Sequence, residues 1–276
     1  MISKNLDADG QAARLSTSVV HASSGQAILE AEFIKTDLES LTSDQMKVLW
    51  SWVDETSLNP GQRQGFIANG LRAGIVVDEA RFRQQLKTLA PASDVVDDFL
   101  SSASVASRVN EGVERIPMRI GRRYELPVGK PNEGEHVTLV RIDSQTIGRT
   151  VQDPQYLFAL EPVELTPQRQ LHLRLRPEVQ YGEMKQAWVG SDSAMRIDRR
   201  REVWTLSELD LDVIAQENDL LVITADRMQS EDGGRASIQE SSALATKMMT
   251  GSSAQQTNEQ LFVLIRVIKI PDQSAN

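Results

Sequence analysis

Leu261-Phe262-Val263-Leu264-Ile265-Arg266-Val267-Ile268-Lys269-Ile270 is the stretch on which the fold turns. Bulky and β-branched side chains fill it without a glycine or proline, as a strand requires. Its first half is apolar at consecutive positions, so side chains pointing to both faces need cover. Such a strand lies inside a sheet covered on both sides, or is completed by a partner. Its loss is expected to leave the chain insoluble.

Upstream of this run the period is two. Arg115–Glu125, Glu135–Ile142, Thr146–Gln152, Gln155–Glu164, Gln170–Gln180, Met184–Val189, Met195–Leu206, Leu209–Ile214 and Leu220–Ala225 read as strands, with Gln260–Ile270 as the last. Gly129-Lys130-Pro131-Asn132, Asp153-Pro154 and Asn218-Asp219 punctuate them with turn residues, the pattern of an antiparallel sheet or sandwich. Residues 229–259 are rich in Ser, Gln and Gly and too long for a hairpin loop, which predicts a flexible or functional insertion.

The amino-terminal third alternates. Gln26–Lys35 reads as a strand, with Leu29, Ala31 and Phe33 on one face. Thr42 and Gln45 have capping-box spacing, and Met46, Leu49, Trp50 and Val53 recur at helical intervals. Asn59-Pro60 and Asn69-Gly70 bracket a second helix; Leu71–Val77 is a strand; Asp78 caps a third helix that buries Phe82, Leu86 and Leu89 before Pro91. The predicted class is α+β: a tail over 1–25, a β-α-α-β-α part over 26–90, a connector over 91–111, and a β-rich, sandwich-like domain over 112–270. No internal repeat is present.

A chain of 276 residues with 40% hydrophobic and 25% charged residues can build a core without metal or disulfide support. Its net charge of −9 argues against general nucleic-acid binding, which needs surplus Lys and Arg. Zero cysteine excludes thiol nucleophiles, thiolate zinc sites, iron–sulfur clusters and disulfides. The start lacks a secretory apolar segment, and no run is long enough for a membrane helix. These features predict a soluble chain, cytoplasmic unless an export signal precedes this start.

Catalytic, cofactor and metal motifs are missing. His21, His136 and His172 have no ligand spacing, and Ser252-Ser253 follow Gly251 in a polar loop without the GxSxG elbow. Glu30 and Glu32 share a strand face, but among 39 acidic residues such a pair marks nothing by itself. In Ala68-Asn69-Gly70-Leu71-Arg72-Ala73-Gly74 the glycine closes a helix, whereas phosphate loops open one. The four tryptophans, Trp50, Trp52, Trp188 and Trp204, read as core rather than ligand platforms.

Charge is the clearest pattern. His172, Arg174 and Arg176 alternate with leucines, and Glu208, Asp210 and Asp212 alternate with Leu209, Leu211 and Val213. Two such trios on adjacent strands would pair across the sheet. Arg196, Arg199, Arg200 and Arg201 form the densest basic patch, with Arg119, Arg122 and Arg123 as a second. The first patch predicts a subunit contact or an anion site.

Trp50-Ser51-Trp52-Val53-Asp54-Glu55, Ala68 to Gly74, Arg176-Pro177-Glu178-Val179 and Trp188-Val189-Gly190 resemble segments of an uncharacterised planctomycete bacterial family, over most of residues 26–270. In strand order the chain also resembles the β-domain of secretins, the outer-membrane secretion channels. Ile28 to Glu32, Leu171 to Val179, Leu220 to Thr224 and Leu261 to Ile268 stand in the corresponding places, with the long insertion before the last strand. The Val-Pro and Pro-Leu-Gly segments of secretins are missing. The resemblance implies a non-enzymatic structural or assembly protein of the bacterial envelope, acting through protein partners or self-association. A β-sandwich module binding a ligand or carbohydrate is the alternative, and a hydrolase of unrecognised type the third reading.

Overall fold

The computed structural model describes residues 25–37, 41–89, 112–143, 145–191, 194–226, 243–250 and 259–271, without the side chains of 187–198. The predicted tail, the connector and most of the 229–259 insertion lie outside these residues. The amino-terminal elements are β1 (Gln26–Asp37), α1 (Ser43–Trp50), β2 (Val53–Asp54), α2 (Pro60–Ala68), β3 (Leu71–Val76) and α3 (Glu79–Leu89). Then come β4 (Gly112–Arg119), β5 (Tyr124–Pro127), β6 (Glu135–Ile142), β7 (Gln145–Gln152), β8 (Gln155–Leu165), β9 (Leu171–Ser191) and β10 (Ala194–Thr205). A 3-10 turn (Ser207–Leu209) precedes β11 (Leu211–Ala215), β12 (Leu220–Ala225), a helix α4 (Leu244–Met249) and β13 (Glu259–Lys269).

Local chemistry sets the helices. The Thr42 hydroxyl accepts from the Gln45 amide at 3.3 Å while the Thr42 amide donates to Gln45 Oε1 at 2.9 Å, closing the capping box that opens α1. Asn59 Oδ1 accepts from the Gly61 amide ahead of α2, and Asp78 Oδ1 from the Arg81 amide ahead of α3. Gly70 leaves α2 at φ +72, a left-handed turn that costs glycine little. Val53 is not helical as its spacing suggested. The Val77 amide donates to the Trp52 carbonyl, and Val53 pairs with Val76 as an edge strand.

Six strands form one sheet in the order β2-β3-β12-β13-β1-β4, and four form another in the order β10-β9-β8-β5, with β11 also paired to β9. All of these pairings are antiparallel. The result is α+β and rich in strand. The six-stranded sheet takes β1, β2 and β3 from the first ninety residues and β4, β12 and β13 from the rest, so the two stretches share one sheet.

Three layers follow from how β13 is dressed. Phe262 and Leu264 pack with Met46, Leu49 and Trp50 of α1 and Phe82, Leu86 and Leu89 of α3. Val263, Ile265 and Val267 point the other way, into a core shared with Leu171, Leu173, Leu175 and Val179 of the second sheet. Helices, six-stranded sheet and second sheet are thus stacked, with β13 covered on both faces. Ion pairs pin α3 down: Arg83 bridges Glu32 of β1 (2.7 Å) and Glu79 (2.6 Å), and Arg266 of β13 also reaches Glu79.

Three strand boundaries differ from expectation. Arg115–Glu125 is two strands, β4 in one sheet and β5 in the other, because Gly121 at φ +70 turns the chain between them. Gln170–Gln180 and Met184–Val189 are a single strand of 21 residues, continuous through Gly182. Leu209 lies in the 3-10 turn rather than in β11.

The 229–259 stretch also holds a buried helix. Leu244, Ala245, Met248 and Met249 enter the core between the sheets, and the Ala245 amide donates to the Asn69 carbonyl at 3.3 Å. Asn69 itself is buried and satisfied: its amide group bonds the Gly65 carbonyl and both backbone groups of Arg141, tying α2 to the β6–β7 hairpin.

Candidate functional site

On β9 the leucines face the core, so His172, Arg174, Arg176, Glu178 and Gln180 take the outer face of the second sheet by alternation. β11 pairs with β9 so that Asp212 stands opposite Arg174. Asp212 accepts from His172 Nε2 at 2.9 Å, Arg174 Nε at 3.0 Å and Gln62 Nε2 at 2.7 Å; Arg176 grips both oxygens of Asp210 at 2.5 Å. The basic side of the ladder on β9 is therefore paired with Asp210 and Asp212 beside it. Glu208 departs from its trio, because it sits on the 3-10 turn and is exposed.

Gln62 also accepts from the Asp212 amide at 3.1 Å, which caps a backbone donor of β11. Burial alone would raise the Asp212 carboxyl, but hydrogen bonds from Gln62, His172 and Arg174 outweigh it and hold the group below its ordinary range. A depressed folded-state value means this stabilisation is full above the unfolded-state value and is lost as pH falls through the folded one. Asp212→Ala is expected to cost about 2 kcal/mol at neutral pH, since three donors lose one acceptor. In urea titrations the variant should approach wild type in stability as pH falls through the acid range. A deficit that stays constant into acid would contradict the charge pairing.

Beside this ladder the outer face dips into an open groove of about 510 Å³. Arg123, Arg176, Arg199, Arg200 and Arg201 line it, together with Glu125, Glu178 and the amides of Gln155 and Gln180. Both predicted basic patches thus contribute to one surface, Arg123 from the loop before β5 and Arg199 to Arg201 from β10. Arg196 lies on β10, but its side chain is outside the described residues. Arg119 and Arg122 are exposed and are not among the groove residues.

Within the lining, Arg123 bridges Glu125 (2.7 Å) and the almost fully buried Glu178, and Gln180 donates to the other Glu125 oxygen at 2.8 Å. Arg201 donates to the backbone carbonyls of Gly182 and Asp153. The β9–β10 pairing shifts register between Arg200 and Glu202, opposite Gly182 at φ +72. The extra residues are on β9, where Gly182, Glu183 and Met184 stand opposite Arg201 alone, and such a bulge increases the local twist. Arg199, Arg201, Val203 and Thr205 of β10 reach the groove by alternation, and Arg200 is the one residue of that set out of period. No spacing rule applied to the sequence finds this.

The other candidates have structural partners or lie elsewhere. Glu30 pairs with Arg115 at 3.1 Å and Glu32 with Arg83 at 2.7 Å. His136 Nε2 meets the Glu133 carbonyl at 2.8 Å, and among the described residues no group of His, Asp or Glu side chains is arranged to hold a metal ion. His21, Ser252 and Ser253 lie outside the described residues. Trp50 is buried under Arg72, whose guanidinium sits 4.6 Å from its ring; Trp52 and Trp204 are half-buried; the Trp188 side chain is not described. No helix among the described residues is long and apolar enough to cross a membrane.

Fold and surface together define a class: a three-layer α/β/β sandwich with an arginine-lined groove on the outer face of its second sheet. Comparison of the chain with family models, characterised proteins and solved structures finds no match.

Proposed function

We propose that this chain is a non-enzymatic assembly protein whose contact surface is the arginine-lined outer face of the second sheet. The observation that carries the reading is the convergence of Arg123 with Arg199, Arg200 and Arg201 on one open groove in a chain of net charge −9. A positive recess on an acidic protein favours encounter with the acidic surface of a partner or of another copy. Placement in the bacterial envelope is supported by the resemblance to secretins alone.

Sizing by light scattering and mass photometry tests the proposal. A discrete multimer of the 30.7 kDa chain, shifted toward monomer by Arg199→Glu, is the expected result. A monomer at every concentration, unchanged by that substitution, refutes self-assembly. A ligand-binding sandwich is the second reading, with the same open groove as its site.

A further inference from the structure

The arginines of the groove differ in what holds them. The carboxylates of the lining are already engaged by Arg123, and Arg176 is engaged by Asp210. Arg201 is fixed by two backbone carbonyls, neutral acceptors that orient the guanidinium without cancelling its charge. Arg199 is exposed and has no carboxylate partner among the described residues. A rigid cation and a reachable one thus stand on the same strand, and β10 is the outermost strand of its sheet.

From this we infer that the groove binds an extended acidic peptide segment of a partner, its carboxylates received by Arg199 and Arg201. The inference rests on the reading of this face as a contact surface and names the chemistry of what it contacts. Guanidinium forks match carboxylates in a two-pronged geometry, so side chains rather than a backbone ladder supply recognition. The β9–β10 ladder is irregular at Arg201, where three residues of β9 face one of β10, and an irregular, twisted edge resists the addition of a neutral strand. Gln155 and Gln180 are held by donating to the Gly129 carbonyl and to Glu125, while exposed Met184 and Val203 can cover the stems of the peptide's side chains.

A phosphate group fits this lining less well. The groove is open and far larger than one phosphate, and it contains the carboxylates of Glu125 and Glu178. Charges spread along a peptide can avoid those two groups, whereas a compact dianion cannot.

The test uses the full chain and a peptide of about ten residues alternating glutamate with threonine, carrying a dye of zero net charge, read by fluorescence anisotropy. Saturable binding is expected at about 50 mM salt, weakening about tenfold or more by 300 mM. Replacing the peptide's glutamates with glutamine should abolish it, and Arg199→Glu should weaken it by about tenfold. Arg199→Lys should recover part of the loss, and circular dichroism should show both variants folded. Binding that ignores Arg199→Glu overturns the inference, as does no binding at low salt. Displacement of the peptide by inorganic phosphate at constant ionic strength, or Arg199-dependent capture by phosphatidylglycerol vesicles that the peptide does not relieve, also overturns it in favour of a phosphate ligand. A monomer that binds the peptide refutes self-assembly and leaves this site standing; a multimer indifferent to the peptide does the reverse.

Discussion

Deleting residues 261–276 is expected to give an insoluble product with no cooperative thermal transition. The deletion removes β13 from Leu261 onward, between β12 and β1, and so cuts the six-stranded sheet into β2-β3-β12 and β1-β4. Two long strand edges would then lie open, each a template for intermolecular pairing. Both apolar clusters would be breached at once, because Phe262 and Leu264 belong to the helix side and Val263, Ile265 and Val267 to the sheet side. Among the described strands β12 is similarly placed, with Leu220 and Val222 on the helix side and Leu221, Ile223 and Ala225 on the other, so the deletion also strips its neighbour of cover. A truncated chain that stays soluble and melts cooperatively would show that this account of the core is wrong.

Phe262→Ala should produce the largest loss of any single apolar truncation on that strand. Its ring is fully buried among α1 and α3 side chains, and a helix layer resting on a sheet cannot collapse far into the space left. Such a deletion costs about 3–5 kcal/mol. For a chain of this size that corresponds to a fall in Tm of about 10 °C, read by calorimetry. Ile265→Ala tests the opposite face, where Ile265 packs in the core between the sheets. The two losses should add within about 0.5 kcal/mol, since the clusters are separate. A strongly non-additive double variant would mean that the faces of β13 communicate.

The charged ladder was readable in the sequence because alternation alone puts His172, Arg174 and Arg176 on one face and Asp210 and Asp212 on another. Their pairing needed β11 to lie beside β9, and it does. The groove was only half legible. The basic run 199–201 was visible, yet alternation would have divided it between two faces. The convergence of Arg123, far away in the chain, depends on β5 and β9 both flanking β8. Helix α4 was missed although Leu244 and Met248, and Ala245 and Met249, are each four apart. Its polar surroundings masked a pattern of six residues, too short to stand out.

By itself the sequence determined most of the elements: capping residues opened the helices α1 to α3, glycine at Gly70 closed one, and period two set the strands, since these are interactions between near neighbours. It also determined that Leu261 to Ile265 must be covered on both faces. Which layer covers which face was decided by the tertiary structure alone. So were the division of Arg115–Glu125 between two sheets and the gathering of distant arginines on one groove. Those outcomes depend on contacts between residues far apart in the chain, and a local periodicity carries no record of them.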